Sequence, residues 1–348
     1  MADLADLGWN TFFQSQLEPG TDTAAVPARV MAVHRGALVV AGVGFDERSI
    51  LPFSADAADA TAQATVGDWL LLDRASGEAV RLLARKSLFK RLAAGTEHKV
   101  QLIAANIDVL FIVTSCNQDF NPARLERYLA LAADAGVTPV IVLTKADLTE
   151  TPEDYVRTAA RLQAGLMVET VDARDPGAVG ALAAWCAHGQ TVALVGSSGV
   201  GKSTLVATLS GAEIATKGIR EGDAKGRHTT TARMLYRLPG GGWLLDTPGM
   251  RELQLGDARA GIDELFAEIA DVAARCKFGD CAHDGEPGCA VAAALADGTL
   301  AAAQVARWRK LADEDAHNSA TMAQRRAHDR TFGKQVRAAV RGKKQRRE

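Results

Sequence analysis

The stretch Gly196-Ser197-Ser198-Gly199-Val200-Gly201-Lys202-Ser203-Thr204 matches the phosphate-binding pattern G-x-x-x-x-G-K-[ST]. The apolar run before it, 191–195, is typical of a buried strand, and the run after it, 205–209, continues a helix that begins at Lys202. Glycines let successive backbone N–H groups turn towards a phosphate, and the helix N-terminus adds partial positive charge. We therefore expect Lys202 to contact the β- and γ-phosphates of a nucleotide and Ser203 to bind Mg²⁺.

The phosphate loop does not identify the base, because ATPases, kinases and GTPases share it. The segment Thr144-Lys145-Ala146-Asp147 follows a buried run and resembles the N/T-K-x-D element that recognises guanine. A carboxylate can accept hydrogen bonds from guanine N1–H and the 2-amino group. Adenine offers neither donor there, and an unpaired buried carboxylate costs ~1–3 kcal/mol or more. Because Thr144 replaces the usual Asn, we expect guanine specificity to depend on Asp147, with the Lys145 stem packing on the base.

Two further segments are candidates for the same site. Asp172-Ala173 follows a short apolar run and lies where the element that backs the guanine is expected. Asp246-Thr247-Pro248-Gly249 follows the predicted strand 242–245 and matches the D-x-x-G switch. We expect Asp246 to act through Mg²⁺-bound water and the Gly249 N–H to contact the γ-phosphate.

A glycine- and charge-rich segment between the phosphate loop and this switch contains Gly226-Arg227-His228-Thr229-Thr230-Thr231. One of its threonines is expected to complete the Mg²⁺ shell, and we favour Thr230. Met250 follows the switch glycine, where Ras-like proteins have a water-orienting Gln. His228 is therefore the candidate catalytic residue, since a loop histidine can exchange a proton near neutral pH; the alternative is an exposed histidine without a catalytic part.

The order of these elements is unusual. Ordinary GTPases place the phosphate loop first and the guanine elements last, whereas here the guanine elements precede the phosphate loop. A circular permutation explains this order without changing the sheet, because rejoining neighbouring termini preserves the contacts.

The region after the switch contains a cluster of potential metal ligands. Cys276, Cys281, His283 and Cys289 follow the spacing C-x4-C-x-H-x5-C. Three thiolates and one imidazole can form a closed tetrahedral zinc site, and with four protein ligands such a metal is structural. The alternative is a set of reduced loop cysteines beside an unrelated histidine.

Charge is distributed unevenly along the 348 residues. Ten Lys or Arg against Asp329 and Glu348 give 325–348 a net charge of +8, so the remainder has −10 of the total −2. Such a tail predicts contact with anionic RNA that weakens as salt rises, or else a solubilising extension.

No apolar run is long enough to span a membrane, and the acidic N-terminus lacks the basic start of a signal peptide. We expect a cytoplasmic protein that does not bind membranes.

The first hundred residues contain five short apolar runs separated by turn residues. This pattern predicts a small barrel, with an OB-fold as first choice. The basic segment 85–91 is either a phosphate contact or a solvated linker.

The expected domain organisation is as follows: a mobile arm over 1–26, an OB-fold β-barrel over 27–85, a linker over 86–100, an α/β circularly permuted P-loop GTPase domain over 101–258, a mainly helical zinc-binding domain over 259–322 and a basic tail over 323–348.

In combination, the phosphate loop, Arg-His-Thr-Thr-Thr, Asp-Thr-Pro-Gly and the Cys/His run closely resemble one family. This is the family of bacterial, ribosome-small-subunit-dependent, circularly permuted GTPases called RsgA or YjeQ. The resemblance extends from about residue 28 to Cys289. It implies a late role in maturation of the small (30S) ribosomal subunit with its 16S rRNA, and GTP hydrolysis to GDP that this particle stimulates. It also supports His228 as the catalytic histidine.

The sequence thus favours a monomeric GTP-hydrolysing assembly factor with one structural Zn²⁺ and a Mg²⁺ bound with GTP. One alternative is a P-loop ATPase or small-molecule kinase with an incidental zinc module. Another is a non-catalytic RNA-binding adaptor whose phosphate loop has lost its activity. Competition between ATP and GTP distinguishes the first alternative, and turnover with and without small subunits distinguishes the second.

Overall fold

The computed structural model describes residues 3–18, 20, 24–56, 59–92, 100–211, 233–246, 258–316 and 318. The chain divides into two compact units, Met1–Gln254 and Leu255–Glu348. The predicted order of N-terminal antiparallel strands, a central α/β sheet and a helical Cys/His region is confirmed. In the described part of the chain, no helix has the length and apolar character that crossing a membrane requires.

One sheet of eleven strands runs through the first unit, in the order β10-β9-β8-β11-β13-β12-β1-β2-β3, with β4 and β5 continuing from β1. A separate hairpin is formed by β6 and β7. The strand bounds are β1 Ala25–His34, β2 Ala37–Gly42, β3 Phe45–Ile50, β4 Trp69–Asp73, β5 Ala79–Leu82, β6 Leu88–Leu92, β7 Val100–Ala105, β8 Val109–Ser115, β9 Thr138–Thr144, β10 Met167–Thr170, β11 Thr191–Val195, β12 Arg233–Arg237 and β13 Trp243–Asp246.

The N-terminal strands β1–β5 are antiparallel and occur in the spatial order β3-β2-β1-β4-β5. Their inward residues form a core that includes Val30, Val40 and Leu70. The apolar run 49–53 predicts a strand, but β3 begins earlier, at Phe45, because the Gly42–Gly44 turn reverses the chain there and Gly44 takes a positive φ of 90°.

The prediction of a mobile arm over 1–26 is wrong for residues 3–18. This segment contains helix α1, Thr11–Gln14, and it buries Leu7 and Phe13 to 1% exposure. Trp9 packs edge-on against Trp69 with ring centroids 4.8 Å apart. Aromatic burial of this kind outweighs the entropy of a free arm, and the short segment has no periodicity from which to predict it.

The predicted linker over 86–100 also differs from the structure, because β6 lies within it and pairs with β7. At its start, the Arg85 guanidinium donates from Nε to the buried Asp68 carboxylate at 2.7 Å. Asp68 is fully buried, and desolvation raises its pKa despite the ion pair. Arg85 is therefore a structural partner of a buried acid rather than a phosphate contact.

Five neighbouring strands of the central sheet are parallel, in the spatial order β10-β9-β8-β11-β13, whereas β12 is antiparallel to β13. Every residue of β8 and β11 is buried, as the continuous apolar runs predict for strands covered on both faces. The helices of this unit beyond α1 are α2 Pro122–Ala135, α3 Pro152–Ala160, α4 Pro176–Val179 and α5 Lys202–Ser210. Strands β8–β10 precede the phosphate loop in the chain yet pair beside its strand, so the permuted order preserves one sheet.

Three local details of this region differ from the sequence expectations. Helix α3 and strand β12 were not predicted, because their short runs combine apolar and charged residues. The sequence of 176–187 predicts one helix, but α4 ends at Val179 and the chain continues as a 3₁₀ segment, Gly180–Cys186. The sequence of 122–136 predicts a helix with Leu125, Leu129 and Ala132 on one face, and α2 matches this prediction. The Asn121 side chain caps its N-terminus, and Gly136 ends it in the left-handed conformation.

The second unit is helical in its described part. It contains α6 Arg259–Leu265, α7 Ala267–Ala273, α8 Ala290–Ala296 and a fourth helix, α9, over 302–316. Ile262, Ile269 and Val291 are fully buried among these helices. The buried Asp315 carboxylate accepts a hydrogen bond from the Ala258 N–H at 2.9 Å, so α9 is tied to the residue before α6.

Candidate functional site

The phosphate loop connects β11 to α5 as the sequence predicts. Gly196, Gly199 and Gly201 all take positive φ angles, of 143°, 80° and 95°. A Cβ added to Gly196 would lie 2.2 Å from the Val113 backbone oxygen on β8, so a side chain cannot be accommodated there. The loop thus passes directly over the end of the neighbouring parallel strand, where ligands bind in open α/β sheets.

The Lys202 side chain lies within the loop. Its Nζ donates to the Gly196 carbonyl at 2.8 Å and also to the Ser197 carbonyl, and the residue is 9% exposed. Ser203, the next residue in α5, is exposed at the helix N-terminus. The ammonium and the helix N-terminus both favour a phosphate at this position.

Two hydrogen bonds join Thr144-Lys145 to the phosphate loop. Thr144 is fully buried, and its Oγ1 donates to the Val200 carbonyl at 2.6 Å. Lys145 takes a left-handed φ of 57°, and its Nζ donates to the Gly199 carbonyl at 2.8 Å. Segments more than fifty residues apart in the chain therefore form one cleft, with Ala146 and Asp147 in the turn that follows.

Asp147 and Asp172 lie near each other after β9 and β10. Their carboxylates are one-third exposed, at 33% and 31%, and both accept hydrogen bonds from the Arg174 guanidinium. Ala173 is 5% exposed, and its carbonyl accepts a hydrogen bond from Thr208 of α5 at 2.7 Å. The structure therefore places Asp172-Ala173 beside the same cleft as Asp147.

Two arginines of the cleft were missed at the sequence level. Arg124, near the start of α2, donates a hydrogen bond to Ser197 Oγ of the phosphate loop. Arg174 contacts both Asp147 and Asp172. The sequence position of Arg174, directly after Asp172-Ala173 and next to two candidate carboxylates, could have indicated its role, whereas nothing local to Arg124 points to the loop.

The switch residues are described only in part. Asp246 is the last residue of β13, which pairs with the phosphate-loop strand β11. Thr230, His228 and Gly249 lie outside the described residues, as does the basic tail. Of the three predicted Mg²⁺ ligands, only the Ser203 side chain has a described position.

Cys276, Cys281, His283 and Cys289 come together in the second unit, with their ligand atoms all within 4.8 Å of one another. Cys276 Sγ lies 3.4 Å from His283 Nδ1 and 4.0 Å from Cys289 Sγ. With zinc–sulfur bonds of about 2.3 Å, neighbouring ligand atoms of a tetrahedral site are roughly 3.8 Å apart, so these residues fit a zinc ion.

The surroundings of this cluster orient its ligand atoms, although burial raises the pKa of the Cys281 thiol to about 12. Desolvation opposes ionisation of Cys276, but backbone N–H donors, including that of Ala290 at 3.3 Å, lower the pKa of this thiol overall. The His283 ring packs against Trp308 with centroids 5.4 Å apart, and the Arg309 side chain donates to the His283 carbonyl. These contacts fix the left-handed backbone of His283, at φ 62°, and orient its Nδ1 towards the thiols.

The chain is similar to known proteins over nearly its whole length. The family model "RsgA GTPase" matches residues 82–256. A small ribosomal subunit biogenesis GTPase RsgA of Mesorhizobium japonicum is 56% identical over 91% of this chain and 91% of its own length. A second protein with this description, RsgA 2 of Vibrio parahaemolyticus, is 47% identical over 99% of this chain and 94% of its own length.

Among solved structures, YjeQ from Thermotoga maritima superposes with a TM-score of 0.59 and 24% sequence identity, covering 82% of this chain and 97% of that protein. This likeness supports the fold. The family model and the identity to relatives over nearly the whole chain show the family. The chain belongs to the RsgA GTPase family.

Proposed function

We propose that this protein hydrolyses GTP as an assembly factor of the small ribosomal subunit, which it binds in the GTP state and leaves after hydrolysis. The observation that supports this most directly is the pair of hydrogen bonds from Thr144 and Lys145 to the phosphate loop. They support the proposal because they join the predicted guanine-recognition segment directly to the phosphate loop. The two relatives described above are named small ribosomal subunit biogenesis GTPases.

The nucleotide is bound from both ends. Asp147 accepts hydrogen bonds from guanine N1–H and the 2-amino group, and Lys145 packs along the base. The backbone N–H groups of the loop and of the first turn of α5 point at the phosphates; the residues are Gly196, Ser197, Ser198, Gly199, Val200 and Gly201 in the loop and Thr204 in the helix. Lys202 neutralises the β- and γ-phosphates as negative charge develops on the leaving diphosphate.

Hydrolysis depends on the switch segments around this pocket. Ser203, Thr230 and Asp246 would hold the Mg²⁺ ion, which would neutralise negative charge on the phosphates when bound. The Gly249 N–H contacts the γ-phosphate. His228 orients the attacking water, since Met250 has no group that can accept or donate a hydrogen bond to it. Loss of the γ-phosphate releases the segments containing Thr230 and Gly249.

The ribosomal particle has two roles in this cycle. It places His228 against the water, and its 16S rRNA attracts the basic tail over 323–348. Because coupling between sites is reciprocal, GTP must strengthen binding of the particle by the same factor as the particle strengthens binding of GTP. The protein acts as a cytoplasmic monomer, and the zinc ion stabilises the fold of the second unit without taking part in the chemistry.

The decisive experiment measures GTP and ATP turnover by the purified chain with and without small subunits, across a salt series. We expect the particle to stimulate GTP turnover strongly and this stimulation to weaken as salt rises. Preference for ATP would favour the kinase or ATPase alternative. Near-zero turnover under both conditions would favour the adaptor.

A matched pair of variants tests the catalytic assignment. His228→Ala is expected to lower stimulated turnover by roughly 10²-fold or more, while GDP affinity changes little, because the histidine acts on water and not on the nucleotide. His34→Ala, at the exposed end of β1, serves as the control. Wild-type turnover in the His228 variant would remove its assigned role.

A further inference from the structure

We propose that Arg174 is a positioning residue for base recognition, whose guanidinium bridges Asp172 to Asp147 and fixes the Asp147 carboxylate for guanine. This inference rests on the proposed function, because it concerns how the carboxylate assigned to the base is oriented.

The bridge consists of several hydrogen bonds. Arg174 Nη2 donates to Asp147 Oδ2 at 2.7 Å and to Asp172 Oδ2 at 3.1 Å. Arg174 Nε donates to Asp172 Oδ1 at 3.0 Å, and the Arg174 backbone N–H donates to the same oxygen at 2.9 Å. The guanidinium thus lies between a carboxylate that follows β9 and one that follows β10.

The identity of residue 172 explains why an arginine is needed. An ionised carboxylate only accepts hydrogen bonds, so Asp172 cannot orient Asp147 directly, and the two negative charges repel each other. Arg174 supplies donors in a planar, rigid arrangement that suits two carboxylates. Its side-chain hydrogen bonds hold the pKa of Asp172 below the ordinary value, and the same hydrogen bonds raise the pKa of Arg174.

The bridge is compatible with a bound base. Each carboxylate oxygen has two lone pairs, so Asp147 Oδ2 can accept from Arg174 and from a guanine donor together, while Oδ1 accepts the second guanine donor. Without the guanidinium, the one-third-exposed Asp147 side chain would regain rotamer freedom that guanine binding must then remove. Arg174 therefore improves base recognition by restricting Asp147 before the nucleotide arrives.

The test compares the affinities of GDP and inosine diphosphate, which lacks the 2-amino group, by titration calorimetry. The ratio of the two affinities reports the hydrogen bond to that group, and a general loss of folding or phosphate binding would leave it unchanged. In Arg174→Gln we expect the ratio to fall roughly fivefold, the size of one oriented hydrogen bond to a charged group at a partly exposed site. Arg174→Lys retains a donor and should give an intermediate ratio.

Arg157→Gln is the matched control, because Arg157 also pairs with a carboxylate, that of Asp154 on α3, with both side chains well exposed. Its ratio should equal that of the wild type. An unchanged ratio in Arg174→Gln would overturn the proposal, and so would tighter GDP binding, which would mean that Arg174 obstructs the base.

Asp147→Asn separates this inference from the proposed function. A wild-type ratio in that variant would refute the role of Asp147, and with it the proposed guanine site. A reduced ratio in Asp147→Asn together with an unchanged ratio in Arg174→Gln would refute only the positioning role of Arg174.

Discussion

Replacing Thr144 with Val should weaken nucleotide binding, even though this side chain is not expected to touch the base. Thr144 Oγ1 donates to the Val200 carbonyl at 2.6 Å and is 3.2 Å from the Thr114 carbonyl. Val has nearly the same shape, so the substitution removes the hydroxyl without creating a cavity. Its effect isolates the hydrogen bond between the recognition segment and the phosphate loop.

The magnitude follows from the burial of this contact. A net hydrogen bond contributes about 1 kcal/mol, and a buried carbonyl left without its donor costs about 1–3 kcal/mol. Thr144 is fully buried, so water does not replace the lost donor. We expect the free energy of unfolding to fall by roughly 1–2 kcal/mol and GDP affinity to fall about five- to tenfold, since the two halves of the pocket are no longer held in register.

The assay combines urea denaturation with GDP titration. Thr138→Val is the control, because Thr138 lies at the exposed start of the same strand. Thr144→Ser retains the hydroxyl and should bind GDP nearly as well as the wild type. Equal stability and GDP affinity in Thr144→Val and Thr138→Val would refute the claim that this hydrogen bond holds the pocket together.

Further outcomes follow from other parts of the structure. Gly196→Ala should abolish tight GTP binding, because its Cβ would lie 2.2 Å from a backbone oxygen of β8. The Cβ of Gly199→Ala would meet no atom within 4 Å, so its binding should weaken only through the backbone strain of a positive φ. Nucleotide titration of both variants measures the difference. Cys276→Ser should lose most of the bound zinc and lower the melting temperature of the protein, while Cys116→Ala should retain the metal, because Cys116 is buried outside the four-residue cluster. Elemental analysis measures the zinc content of both variants, and thermal denaturation measures the melting temperature. Hydrogen bonds from the Arg174 guanidinium lower the pKa of Asp172, so Asp172 stays ionised and keeps its bond to Arg174 as the solution is made mildly acidic. A carboxylate with a lowered folded-state pKa contributes stabilisation above its ordinary pKa, and this stabilisation is lost only as the pH falls through the lowered value. The GDP/inosine diphosphate affinity ratio, measured by titration at several pH values, should therefore stay constant from about pH 8 to about pH 5.

The buried Arg29 shows where sequence patterns stop being informative. It begins the run 29–33, which predicts a strand, and a charged side chain is ordinarily exposed, yet Arg29 is 2% exposed. Its guanidinium donates to the Leu7 carbonyl at 2.5 Å and to Thr191 Oγ1, at the start of the phosphate-loop strand, at 2.6 Å. Burial lowers its pKa to about 10. Both acceptors belong to segments remote in the chain, so no local periodicity could predict them.

The sequence by itself determined the elements whose chemistry depends on short spacing. The phosphate loop needs glycines at fixed positions after a strand, and the zinc cluster needs four ligands within fourteen residues, Cys276–Cys289. The permuted order of the motifs is also evident from the sequence alone. Each of these features depends on neighbouring residues, and their backbone requirements leave a recognisable pattern of residue types.

Only the tertiary structure decided which distant residues meet. It paired β1 with β12, so that the N-terminal strands continue the central sheet, and it packed residues 3–18 against the strands of the same unit. It also brought Arg174 between Asp147 and Asp172. These contacts join segments separated by tens to hundreds of residues, and their geometry is set by strand register and core packing rather than by local propensity.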